Sequence, residues 1–523
     1  MGSFASAAQP QTSNDKPTLL YTLSVAEPGS HYINVTCRID EVTGNTLDLQ
    51  LPTWRPGRYE LQHFAKNVRS FAVFDQNDQP LTYRKVTKDR WQVQTNGATS
   101  VEVRYDYFGL VAGDHKLDAG SSYADSSHFW YINPVNLCLY AEGRLHEACT
   151  LALDIPDGWQ IACGLPQQGS KTLIASDYYA LVDSPLIASG SLQAVRYTVQ
   201  DVAVTVWVQG WNYLVPPAFD PAQITADFSR FTEAQIKLFG DFPESDYHFL
   251  TLVLPVPYYH GVEHRNSTVL VLGPELEGLA ADGVTIEGAG LYTDLLGVAS
   301  HELFHAWNIC RIRPAELTPY DFTRENYFTT CFVAEGITTY YGDLMLRRSG
   351  VFDDAAYLKE LLVVLKRHFE QAGRASLSLT ESSWDLWLDG YVRGVPDRKV
   401  SVYHKGALAS LILDLHLRRK FNHERSLDDV MRLLWQRFGP SENGQPARGY
   451  TYDDYRGIAA DVAGEPLDWY FDTCITGNVP IDPLLNDHLA FIGLRMSYDD
   501  AGLVVLKWTG QVKERMEWER WFA

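Results

Sequence analysis

A chain of 523 residues has room for roughly two to four domains of ordinary size. With 46% hydrophobic and 21% charged residues it reads as globular rather than disordered. Its net charge of -21, from 44 basic and 65 acidic residues, excludes nucleic acid or an anionic membrane as the main partner, since each needs a basic face.

The first residues, MGSFASAAQPQTSNDKP, form a polar leader over 1–17 with no apolar core of a signal peptide. Gly2 and Ser6 also fit the pattern for myristoylation, although plain disorder explains them as well. No run of about 18 apolar residues follows, so no membrane span is expected. Seven cysteines, an odd number without a Cys-x-x-Cys pair, read as buried thiols. Together these features predict a cytoplasmic protein.

From 18 to 214 the pattern is β. Ile33, Val35, Cys37 and Ile39 alternate with polar residues, as do Leu47, Leu49 and Leu51, and later Val202, Val204, Val206 and Val208. Period-two alternation between Gly, Pro, Asn and Asp breaks is the mark of half-buried antiparallel strands. The texture changes near Pro216. Ile224, Phe228 and Phe231 recur at helical spacing, and Gly240 can end their helix. A buried strand follows at 247–256. Helical stretches at about 291–308, 327–348, 353–371, 401–420 and 426–438 dominate from there to 486. The segment 487–523 adds a short strand-like run. It also adds a Trp-rich end, whose Trp518, Trp521 and Phe522 can share one helix face. The fold class expected is α+β and multidomain, with a β-rich, sandwich-like N-terminal domain followed by a mainly helical domain.

The chemistry concentrates in VASHELFHAWN, 298–308. On a helix, His301 and His305 are four apart and share a face, so two imidazoles can reach one metal ion. Glu302, beside the first, can serve as a base. Five-residue motifs recur by chance, so a helix with two satisfied histidines remains a full alternative on the motif alone. The longer motif with a third histidine fails, because Asn308 and Arg311 stand where it needs Gly and His. A glutamate on a following helix is the other common third ligand. Glu335, in CFVAEGITTYYGD, sits in so apolar a stretch that a bare carboxylate would be costly without a partner. Two His and one Glu leave zinc an open position, which suits catalysis. A metal there would bring the pKa of water toward about 7, within reach of Glu302. YHKGALASLILDL, 403–415, offers Tyr403 at a helix start as an oxyanion donor.

Taken in order, HELFHAWN, RIRPAEL (311–317), PYDFTRENYF (319–328), VAEGITTYYGD (333–343) and YHKGALASLILDL resemble the glycyl aminopeptidase family of zinc metallopeptidases, a branch of the thermolysin-like clan. LPTWRPGRYEL, 51–61, is similar to that family's β-rich N-terminal domain. The resemblance covers about residues 18 to 485. It implies a thermolysin-like catalytic domain over 215–486, one Zn2+ held by His301, His305 and Glu335, Glu302 as general base, and Tyr403 at the transition state. YYHGVEHRNST, 258–268, resembles the strand whose glutamate holds a substrate's free amine. That residue would be Glu263, with Gly261 allowing close backbone approach and an extended peptide pairing along the strand. The chain departs from the family in two places. The segment 487–523 is incomplete relative to the PDZ domain that members commonly carry. Thr339 stands where thermolysin has an aspartate, and it or Asn308 is left as a candidate support for a histidine.

The expected function is a zinc-dependent aminopeptidase removing Gly or Ala from peptides with a free N-terminus. An endopeptidase of the same clan, or a catalytically impaired peptide-binding scaffold, is the alternative. Oligomeric state is not legible.

Overall fold

The computed structural model describes residues 17–109, 120–210, 219–274, 290–391, 394–442 and 445–523. The leader up to residue 16, with Gly2 and Ser6, and the change of texture at Pro216 lie outside the described residues.

The first half is β, as the alternation predicts. Leu19–Ser24, Tyr32–Asp40, Val68–Asp75, Ser100–Phe108 and Cys149–Leu153 belong to a seven-stranded sheet, and two four-stranded sheets accompany it. Ile33, Val35, Cys37 and Ile39 all point into one core that the three sheets share. All seven cysteines are buried and unpaired.

Two strands that the sequence reading groups with this half hydrogen-bond elsewhere. β1 (Gln193–Val199) and β2 (Val202–Gln209) continue into β3 (Asp246–Val253), β4 (Tyr258–Glu263) and β5 (Ser267–Gly273) as one sheet, in the order β1-β2-β3-β5-β4. β2, β3 and β5 are parallel, whereas β4 runs antiparallel to β5 and forms the edge. Alternation shows a strand's faces but not its neighbours, so the sheet to which β1 and β2 belong was not legible.

Helices cover this sheet. α1 (Pro221–Phe239) starts at Asp220, whose side chain accepts from Ala222 N at 3.0 Å, and ends at Gly240 in the left-handed region, φ 97°. Its Ile224, Phe228 and Phe231 are fully buried, each contributing about 1.5–3 kcal/mol. α2 (Leu291–Phe304) carries the His-Glu-x-x-His motif in its last turn. It ends four residues before the expected 308, because Ala306 N and Trp307 N reach only three residues back and Ile309 takes φ 96°.

The predicted helix over 327–348 is also shorter and mixed. A π-helical turn, Phe332–Gly336, precedes α3 (Ile337–Arg348). Asn308 Nδ2 donates to Val333 O at 2.8 Å and Ala334 O at 3.1 Å, and Thr338 Oγ1 donates to Ala334 O at 2.7 Å. Side chains thus occupy carbonyls that an α-helix would use, and the backbone widens around Glu335. α4 (Asp354–Phe369), α5 (His404–Lys420) and α6 (Leu427–Phe438) complete the layer. Gly336 and Gly406 let the π turn and α5 touch backbone to backbone, since a Cβ on Gly336 would sit 2.6 Å from Gly406 Cα.

The Trp-rich end forms α7 (Val512–Phe522), docked on the back of α3 and α5. Trp521 Nε1 donates to Asp414 Oδ2 at 3.0 Å, and that carboxylate also accepts from Tyr340, Arg418 and the Leu427 amide. Trp518 and Trp521 are 0% exposed, so they are core residues. Among the described residues no helix is long and apolar enough to cross a membrane.

Asp343 on α3 gives a stability prediction. Burial, then Glu360, raise its pKa to about 7. A carboxyl raised above its unfolded value of about 3.9 contributes fully below that pH and loses its contribution as pH rises through 7. Asp343→Asn is therefore expected to raise Tm at pH 8 and to do so less at pH 5. Thermal melting of both proteins across that range checks it, and equal shifts at the two pH values would contradict it.

Candidate active site and metal centre

Three elements converge on one point. His301 and His305, from the end of α2, bring their Nε2 atoms to 3.1 Å. Glu335 Oε2, from the π turn, lies 3.7 Å from His301 Nε2 and 3.4 Å from His305 Nε2. All the donor atoms of this trio lie within 4.8 Å of one another. Gly342 on α3 lets the helices approach, because a Cβ there would already lie 3.4 Å from His301 Cα, and Ser300 Oγ donates to Gly342 O at 2.7 Å.

The hydrogen bonds select a ligand form. His305 Nδ1 lies 2.8 Å from Asn308 O, which can only accept, so in the neutral ring Nδ1 carries the proton and Nε2 presents a lone pair. Thr338 Oγ1 is 3.5 Å from the same Nδ1 and 3.0 Å from Asn308 Nδ2. Support for His305 thus runs through the Asn308 carbonyl and Thr338. The Thr339 hydroxyl, considered from sequence, is buried without a partner.

Charge confirms that the residues fit a cation. Two imidazole nitrogens face each other beside a carboxylate, an arrangement that needs a positive charge between them. A second trio, Glu263, Glu302 and His305, also has its ligand atoms within 4.8 Å. Three buried carboxylates therefore surround two rings. Burial works against ionising His305, yet Glu335, Glu263 and Glu302 outweigh it and raise its pKa to about 10. Burial also raises Glu335, but His305 and His301 overcome it and hold the carboxyl at about 2. His301 is lowered, first by burial. Burial raises Glu302 well above the usual carboxylate range, with Glu263 and Glu335 adding to it.

Glu302 is placed by β4. A Cβ on Gly261 would overlap Glu302 Oε1, so only glycine lets the carboxyl lie against the strand. Glu302 Oε2 is buried with no partner. Glu263, two residues along β4, is 7% exposed, and its pKa is raised mainly by burial. Tyr403 stands at the N-terminus of α5, its phenol pKa raised first by burial and then by Glu335. It therefore stays protonated as a donor. The five carboxylates and imidazoles named from sequence come together here, with Gly261 against Glu302 and Tyr403 in the field of Glu335.

Sequence reasoning missed the wall that the β-rich half supplies. The loop 51–61 enters the catalytic half: Thr53 N donates to Phe322 O at 2.9 Å and Trp54 Nε1 to Asp321 O at 2.7 Å. Trp54 meets Trp387 edge-on at 5.1 Å, and Tyr59 N donates to Tyr391 OH at 3.1 Å. A Cβ on Gly57 would lie 2.8 Å from Glu263 Oε2, so this loop closes the cleft beyond Glu263. Arg55, 2% exposed, keeps Nε and Nη2 without partners and exerts a downward pull on the Glu302 pKa. The only sequence signal was the apolar and aromatic density of LPTWRPGRYEL, which does not say what it faces.

Comparison with known proteins follows the same division. Residues 20–190 match the Peptidase M61 N-terminal domain, and residues 294–409 match the M61 glycyl aminopeptidase domain. The chain is similar to the crystal structure of an aminopeptidase N family protein from Idiomarina loihiensis. That match has 29% identity and a TM-score of 0.82, and covers 93% of this chain and 81% of the other. It also shares its fold with an M1 zinc metallopeptidase mutant from Deinococcus radiodurans bound to a Tyr-Ser-Ala substrate. Here identity is 14% and the TM-score 0.53, with 88% of this chain and 94% of that one covered. The comparison with curated proteins finds no match. Both domain matches, on either side of the sheet that joins them, and the arrangement of His301, His305 and Glu335 place this chain in the M61 glycyl aminopeptidase family of zinc metallopeptidases.

Proposed function

We propose that this aminopeptidase removes a small N-terminal residue, Gly or Ala, from peptides, using one zinc ion held by His301, His305 and Glu335. The observation that carries the reading is the buried Glu263 carboxylate beside Glu302 and His305, at an end of the cleft walled by Gly57. A dication and Arg55 bring positive charge against Glu335 and Glu302, and Glu263 is left to a protonated α-amine, a charge that an internal peptide bond does not bring. Gly57, whose Cβ would lie 2.8 Å from Glu263 Oε2, leaves little room beside the anchor, which favours a small first residue.

When bound, the metal supplies polarisation of the scissile carbonyl and acidification of water. Glu263 holds the amine one residue from that carbonyl. β4 pairs with the extended peptide, which runs antiparallel from Glu263 back toward Tyr258. Glu302, its pKa raised by burial, takes the proton of the attacking water and passes it to the leaving amine. Tyr403 donates its hydroxyl hydrogen to the developing oxyanion.

The test is zinc per chain together with turnover of Gly-, Ala- and Leu-p-nitroanilide, with and without chelator, and of N-acetyl-Gly-p-nitroanilide. One zinc per chain, chelator-sensitive release from Gly and Ala, slower release from Leu, and rejection of the acetylated compound are expected. Equal turnover of the acetylated compound would overturn Glu263 as amine anchor and make the protein an endopeptidase.

A further inference from the structure

Beyond the metal site, a cavity of about 460 Å³ opens between the end of α4 and the start of α5. Arg367, His368, Arg374, Lys399 and His404 line it. Among the described residues Arg367 forms no ion pair, and Arg374 makes only a long 3.4 Å bond to Gln371 O. Two acids also line it, Asp389, already paired with Arg398 at 2.5 Å, and Asp397, against the three cations Arg367, Arg374 and Lys399. Asp343 and Glu360 lie in the field of Arg367, and burial raises the pKa of both, that of Asp343 to about 7. α5 begins at the cavity with the positive end of its dipole. Burial and then Lys405 and Arg374 lower His368 to about 3, and burial and then Arg367 lower His404 to about 4.

The cavity comes close to Tyr403 through its chain neighbour His404. Its wall follows Tyr391, which accepts from Tyr59 N, and ends at His404, next to Tyr403. Glu335 raises the pKa of both Tyr391 and Tyr403, after burial, so both phenols lie within its field. At the far end of β4, Tyr259 leans over α2, its hydroxyl 3.7 Å from where a Cβ on Gly297 would be, within the field of Arg367. A peptide anchored at Glu263 and running antiparallel to β4 leaves the metal in this direction.

We propose that this cavity seats the C-terminal carboxylate of a short peptide whose amine lies at Glu263, which makes di- to tetrapeptides the preferred substrates. Arg367 and Arg374 supply the charge, and His368 and His404, neutral at pH 7, supply polar contacts. The inference rests on the aminopeptidase reading, because the direction of the peptide comes from it.

The experiment uses the full, zinc-loaded chain and the series Gly-Ala, Gly-Ala-Ala and Gly-Ala-Ala-Ala, each as free acid and as C-terminal amide. Gly-Ala-Asp-amide carries the same charge on a side chain. At one length at least, kcat/KM for the acid should exceed that for the amide by about tenfold, the effect of one charge-assisted hydrogen bond. The double variant Arg367→Gln/Arg374→Gln should bring that ratio close to one, mainly through KM. Each ratio is taken within one protein, so a reduced folded fraction cancels. Equal rates for acid and amide at all three lengths, or an unchanged ratio in the variant, would overturn the proposal. Preference for Gly-Ala-Asp-amide equal to that for the best free acid would overturn the C-terminal assignment in favour of an acidic side chain. Turnover of Gly-p-nitroanilide, which has no carboxylate, reports separately on the aminopeptidase reading.

Discussion

Glu302→Gln is expected to keep its zinc and to lower kcat on Gly-p-nitroanilide by about 10³-fold, within the usual range for loss of a positioned general base. The glutamine is isosteric and neutral, so the contact with Gly261 and the positions of His301 and His305 survive. What is lost is the proton acceptor whose Oε2 is buried with no other partner in the fold. Burial raises its pKa well above the usual carboxylate range, as at sites where a carboxyl works as acid or base. Zinc content by metal analysis and steady-state kinetics on the same preparation decide the matter. A variant with zinc and near-wild-type rates would remove Glu302 from the mechanism.

Glu335→Gln should act one step earlier, on the metal. Of three protein ligands it would remove the only charged one, and affinity for zinc should fall about 10²–10³-fold, or about 3–4 kcal/mol. The buried carboxylate also keeps His305 in company, since among the described residues it alone pairs with both rings. Zinc affinity from a competing chelator should fall by that factor, and activity should return in part when excess zinc is added. Unchanged affinity would mean that Glu335 is not a ligand and that the second trio, Glu263, Glu302 and His305, deserves the metal. Melting curves separate this result from loss of fold.

The helix start and stop signals were legible where local physics sets them. Asp220, Pro221 and Gly240 bound α1 through capping and the left-handed turn, interactions that involve only near neighbours. The boundaries that failed are set by distant groups. The π turn at Glu335 exists because Asn308, more than twenty residues earlier, takes two of its carbonyls. The end of α2 is shaped by the irregular turn through Ile309. Assignment of β1 and β2 to the catalytic sheet rests on their pairing with β3, to which alternation is blind.

By itself the sequence determined the chemistry on offer. The spacing of His301 and His305 follows from the helical period, the apolar surroundings of Glu335 demand a partner, and alternation marks the β-rich half. Tertiary structure alone decided what those groups meet. It set Glu263 and Glu302 beside the His305 ring, put Thr338 rather than Thr339 behind His305, and brought Gly57 against Glu263 and Arg55 into the field of Glu302. It also gathered Arg367, Arg374 and His404 around one cavity. The physical reason is range: backbone propensity and periodicity act over a few residues. The pKa of Glu302 and the shape of the cleft depend on burial and on charges that are hundreds of residues away in the chain and a few ångströms away in space.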